Sequence, residues 1–107
     1  MGLFKHYLGI RQDPRMQSLM HDMGNEAYGI FWMITEIIMS QRSKCLSYDE
    51  ETITKVANDV MPTNINIKEF IDKAIKYRVF IKGEFYDGSK YFTLSKAFMP
   101  EEMPEDL

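Results

Sequence analysis

Cysteine and histidine are nearly missing from this chain: Cys45, His6 and His21 are all there is in 107 residues. A lone cysteine cannot close an intramolecular disulfide, and it excludes a zinc site built on several thiolates. It suits a reducing compartment, so the expected location is the cytoplasm. The two histidines lie far apart, with no His-x-x-x-His pair, and would need carboxylates such as Asp13, Asp22 or Glu36 to converge on them before a metal could bind. The simpler reading puts His6 in local packing and His21 on a helix surface. Long apolar runs are absent too: none approaches the ~20 residues of a membrane span, and no apolar stretch behind Lys5 and His6 resembles a secretory leader. What is present, 45% apolar and 27% charged residues, is the composition of one folded domain and not of a disordered chain.

Catalytic patterns are equally scarce. Gly24 and Gly29 are spaced like parts of a phosphate loop, but Ile30-Phe31 follows where Lys-Ser/Thr is required, and Gly24 follows a helical pattern, not a strand. Cys45 lacks an adjacent base and reads as a buried strand residue. Glu36 stands in an apolar run, either on a narrow polar strip with Thr35 and Ser40 or buried against a cation such as Arg11, Arg15 or His6. The expectation is a protein that is not an enzyme, with no cofactor, no metal and no small-molecule substrate.

Charge is unevenly spread. The formal net charge is -3, yet residues 64–99 carry seven Lys/Arg against four Asp/Glu, and residues 100–107 carry four acids and no base. The ending Pro100-Glu101-Glu102-Met103-Pro104-Glu105-Asp106-Leu107 has almost nothing to bury and reads as an acidic tail or the start of a linker. The expected division is therefore a domain over residues 1–99 and a tail over 100–107.

Periodicity then gives the elements. Residues 1–12 show no helical period and read as an irregular arm. Asp13-Pro14 opens a first helix at about 14–23, in which Met16, Leu19, Met20 and Met23 form one stripe and Gly24 ends it. Asn25 is placed to cap a second helix, and the run from Ala27 to Met39 is apolar nearly all round, as in a central helix covered on several sides. Gly29 within it costs stability unless another element approaches closely. Arg42 offers a cation at this helix's negative end. Residues 44–47 are a short strand. A third helix at about 49–60 starts with acids and buries Ile53, Val56, Ala57 and Val60; Met61-Pro62 ends it. Asn66 caps a fourth helix over about 67–77, with Ile67, Phe70, Ile71, Ala74 and Ile75 inside and Lys68, Asp72, Lys73 and Lys76 outside. The period then changes from 3.6 to 2 for Val79–Lys82 and Lys90–Leu94, a hairpin turning at Asp87-Gly88-Ser89 with Phe92 and Leu94 inward.

The predicted fold class is mainly α with a small β-hairpin (α+β). After the first helix the order is helix, strand, helix, helix, strand, wing, strand, which is the order of a winged helix-turn-helix domain with an extra N-terminal helix. The third and fourth helices would form the helix-turn-helix pair.

From Phe4 to about Phe98 the chain resembles the N-terminal domain of phage and prophage DnaD-like replication-initiation proteins. The residues that carry the likeness are Phe4 and His6, Asp13-Pro14, Leu19, Gly24, Ala27-Tyr28-Gly29-Ile30-Phe31-Trp32 and Glu36, then Arg78-Val79-Phe80, Asp87-Gly88 and Tyr91-Phe92. It departs from the family pattern at Ala27, where Gly is usual, at Tyr7, where Asp follows the His, and at Val79, where the Leu of the wing start stands. The resemblance implies a winged helix and a link to DNA replication. With it, Lys68, Lys73, Lys76, Arg78, Lys82 and Lys90 are the expected DNA-binding residues: lysines and arginines neutralise phosphates, and these lie on the fourth helix and beside the hairpin. A solvated helix face has the same composition. The alternative function is a protein-interaction or oligomerisation module that recruits replication proteins, or itself, without touching DNA.

Overall fold

The computed structural model describes residues 7–60 and 63–98. Expectations on Phe4, His6, Met61-Pro62 and the segment 100–107 lie outside these residues. Tyr7–Gln12 form α1, a six-residue helix where an irregular arm is expected from the sequence. Fewer than two turns display no period, so only burial of Ile10 in the core distinguishes it.

Pro14–Met23 form α2, and both ends follow from local chemistry. The Asp13 carboxylate accepts from the Arg15 backbone N–H at 2.9 Å, Pro14 occupies the first turn, and Gly24 leaves the helix at φ 92°. Met16 and Leu19 are fully buried, with Met20 and Met23 packed beside them. Glu26–Ser40 form α3, the central helix. Asn25 does not cap it: its backbone is already helical, and its side chain makes no capping bond. The Glu26 carboxylate instead accepts from the Thr63 hydroxyl at 2.5 Å, tying this end to the segment before the next-but-one helix. At the other end Lys44, not Arg42, meets the free carbonyls, its Nζ donating to Met39 O at 2.6 Å. Gly29 faces open space, with nothing within 4 Å of a Cβ placed there, so no close approach offsets its cost. Thr35 is buried while Glu36 is exposed, which splits the expected polar strip.

Glu50–Asp59 form α4, capped by Asp49, which accepts from Thr52 N–H at 2.8 Å. Ile53 and Val56 are buried with Val60 just beyond, whereas Ala57 is exposed, one position off the stripe. Ile67–Lys76 form α5, capped by Asn66 through Glu69 N–H at 2.9 Å, with Ile67, Phe70, Ile71 and Ala74 inside. Leu46–Ser47 (β1), Phe80–Glu84 (β2) and Lys90–Leu94 (β3) make one antiparallel sheet in the order β1-β3-β2. The register pairs Phe80 with Leu94 and Glu84 with Lys90, with no bulge between. Lys96–Phe98 close the described chain as a short 3-10 helix.

The protein is thus mainly helical with a small three-stranded sheet, the α+β class expected. Phenylalanines join its parts: Phe31 of α3 stacks on Phe80 of β2 at 6.1 Å, and Phe80 meets Phe70 of α5 at 6.2 Å and Phe92 of β3 at 5.6 Å. Phe98 folds back onto Phe31 at 5.9 Å. The sheet's inner face is therefore pinned to α5 and α3, which fixes where α5 and the hairpin stand relative to each other. No described helix is long and apolar enough to cross a membrane.

Candidate nucleic-acid interface

The six cations singled out by sequence fall into two clusters and two outliers. In the first cluster Lys68, on the first turn of α5, donates to Asp72 at 2.7 Å, and the Tyr48 hydroxyl donates to the other oxygen of the same carboxylate at 2.5 Å. The Tyr48 ring, just before α4, carries the Lys68 ammonium at 5.6 Å and the Lys82 ammonium at 4.5 Å from its centroid. One lysine from α5 and one from β2 thus converge on one aromatic ring. The arrangement follows from local rules: Lys68 and Asp72 are four apart on a helix, and Lys82 points to the α5 side of β2 because Phe80, two residues earlier, points into the core.

In the second cluster Asp22, near the end of α2, accepts from Lys73 at 3.0 Å and from the Tyr77 hydroxyl at 2.6 Å, while the Lys76 ammonium lies 5.3 Å from the centre of the Tyr77 ring. Lys73 and Asp72, expected on the open face, are half-buried and engaged, because α2 and Tyr48 cover the sides of α5. Lys90 pairs across the strands with Glu84 at 3.3 Å. Arg78 is exposed, in the left-handed region at φ 66°.

The titrating groups reflect these contacts. Partial burial alone would raise the Asp72 carboxyl, but hydrogen bonds from Lys68 and Tyr48 outweigh it and hold it below its ordinary 3.8. The hydrogen bond to Asp72 raises Tyr48, and the same carboxylate raises Lys68. Asp22 is lowered by the hydrogen bond from Tyr77 and then by that from Lys73, and it raises both partners in turn.

Among the described residues no group of His, Cys, Asp and Glu is placed to hold a metal ion. His21 is exposed on α2. Cys45 is half-buried, not buried as expected; it borders a surface hollow of about 460 Å³ that Phe85, Tyr91 and Thr93 also line. The next residue, Leu46, takes the buried position, because β1 is short and its inward residue is the one facing Phe92.

The sequence matches a family profile over residues 3–98, which spans every element described above. The chain belongs to the Lin1244/Lin1753-like, N-terminal family. Comparison with curated proteins and with solved structures gave no significant match. For this Lin1244/Lin1753-like domain, sequence reading found the cations but missed what holds them. Tyr48, 24 positions from Asp72, and Asp22, 51 positions from Lys73, have no spacing signal that joins them to α5.

Proposed function

We propose that this domain is a DNA-binding winged helix, with α4 and α5 as the helix-turn-helix pair and the β2–β3 hairpin as the wing, and that it contacts phosphates through α5 and the wing. The convergence of Lys68 and Lys82 on Tyr48 carries the reading: it joins cations from both proposed contacting elements into one positive site. A phosphate approaching there meets the Lys82 ammonium and the Lys68 ammonium, the latter paired with the Asp72 carboxylate that also holds the Tyr48 hydroxyl. Lys76 and Arg78 extend the same cationic character toward the end of α5. With lysines in the majority, the contact is to backbone more than to bases. The resemblance to DnaD-like proteins supports a role in replication initiation or regulation within a phage-derived protein.

A second reading, a protein-interaction module, is favoured by Ile81, Phe85 and Tyr86, the large apolar side chains that stand exposed on β2 and its turn. Fluorescence anisotropy with labelled duplex DNA at about 50 and about 200 mM salt separates the two. The DNA reading expects saturable binding that weakens steeply with salt. It also expects Lys68→Ala with Lys76→Ala to reduce both affinity and salt slope, the slope by roughly 0.9 for each phosphate no longer neutralised. Reversing Lys73 is a poor test, since it would set a carboxylate against Asp22. Absence of binding at the lower salt, or unchanged affinity in the double variant, overturns the DNA reading in favour of the second.

A further inference from the structure

β2 is an edge strand: β3 covers one side, and among the described residues no strand pairs with the other. Its register with β3 runs without a bulge from Phe80 to Glu84, and it holds no proline. The devices that usually blunt an open edge are therefore absent except for charge. The charges have a pattern. Ile81-Lys82-Gly83-Glu84-Phe85 reads apolar, cation, glycine, anion, apolar, and it is its own complement when reversed. Alternation sends Lys82 and Glu84 to the α5 side of the sheet and Ile81 and Phe85 to the outer side. Phe85 continues the ladder, its N–H donating to Ser89 O at 2.8 Å.

We infer that β2 is a self-association edge that pairs antiparallel with β2 of a second copy about a two-fold axis at Gly83. In that register each Lys82 faces the other copy's Glu84, and each Ile81 faces the other copy's Phe85. The two apolar side chains, 41% and 40% exposed in the single chain, are thereby covered. Glu84, which already meets Lys90 inside its own sheet, gains a second lysine on its open side, so the ladder reads Lys90, Glu84, Lys82 across the junction. A two-fold axis normal to the sheet is what antiparallel edge pairing requires, and it places both α5 helices on the same side of one six-stranded sheet. The occupant is a second copy and not an unrelated strand, because the complementarity is written within five residues of this chain. The inference does not rest on the DNA reading, although the two share Lys82, whose ammonium lies 4.5 Å from the centre of the Tyr48 ring in the single chain.

The test is sedimentation of the full chain. Wild type is expected to dimerise reversibly with rising concentration. Lys82→Glu sets two carboxylates against each other at both symmetric positions, and Glu84→Lys does the same with two ammonium groups. Each variant alone is expected to dimerise about tenfold more weakly, from two like-charge cross-strand pairs. An equal mixture of the two restores opposite charges at both positions, so heterodimers are expected at or near wild-type strength. Circular dichroism checks that each variant is folded, and Ile81→Ser, which keeps every charge, gives an independent loss of dimer. A wild-type chain that stays monomeric at its highest soluble concentration overturns the inference. So does a mixture no more associated than its components.

Discussion

The ring of Tyr91 lies across Gly83, its partner in the β2–β3 register, on the outer face of the sheet. A Cβ at Gly83 would overlap the Tyr91 ring carbon Cζ and its hydroxyl oxygen. The ring is also packed on Phe85 at 4.8 Å, so it cannot move without giving up that packing. The glycine weakens the strand intrinsically, and the ring covers what it leaves bare. Gly83→Ala is expected to destabilise by about 1 kcal/mol, as the ring swings outward. In a Tyr91→Ala background the same change should be neutral or stabilising. A denaturant double-mutant cycle measures the coupling, and additive effects would show that the two residues do not depend on each other.

Gly29 gives the opposite sign. It sits in α3 with helical backbone and open space where a side chain would be. Gly29→Ala should stabilise by about 1 kcal/mol, the difference in helix propensity, read as a higher urea midpoint at unchanged slope. A loss of stability would mean that some group does approach this face.

Arg78 follows α5 in the left-handed region. Its neighbours make the paired bonds of a glycine-type helix stop: Val79 N–H donates to Ala74 O at 2.8 Å and Arg78 N–H to Ile75 O at 3.1 Å. An arginine here is strained where glycine is not. Arg78→Gly is expected to raise stability by about 1 kcal/mol in thermal or chemical unfolding. If the DNA reading holds, the same variant binds DNA less tightly, since it removes a cation from the end of α5.

Acid should loosen the two clusters on α5. Asp22 and Asp72 both titrate below 3.8 in the folded protein. Near that pH the unfolded chain binds more protons, so stability rises with pH there. The contribution is fully present above the unfolded value and disappears as pH falls through the lower folded values. Tyr48 and Lys68 are raised, so their contribution is present below their ordinary values of 10.0 and 10.5 and fades as pH climbs through the folded ones. Within the Tyr48–Lys68 cluster both ends trace to Asp72, so Asp72→Asn should reduce the dependence of stability on pH on the acid side and the alkaline side together, leaving the share that belongs to Asp22. The measurement is unfolding free energy against pH for the variant and wild type. These groups are largely solvated, so the effect is modest.

Some of this protein is legible in its sequence because short-range chemistry decides it. Asp13-Pro14 and Gly24 delimit α2, Asn66 starts α5, the alternation in Lys90–Leu94 puts Phe92 and Leu94 inside, and Gly88 at φ 91° makes the turn. Each rests on a cap, a period or a turn preference that acts within a few residues. The order of elements from α2 to β3 follows, and with it the mixed α+β class. Packing decided the remainder. Gly29 and Ala57 look like core residues until the faces they occupy are known. Asn25 looks like a cap until its backbone proves helical, and Arg42 looks like the stop for α3 until Lys44 reaches the carbonyl. Above all, the lysines of α5 and the β2–β3 hairpin are visible as charges in the sequence. Which of them are held by a carboxylate, and that two meet on the ring of Tyr48, depends on contacts between residues far apart in the chain. A one-dimensional pattern carries no distance across the fold, so only the tertiary structure brings those residues together.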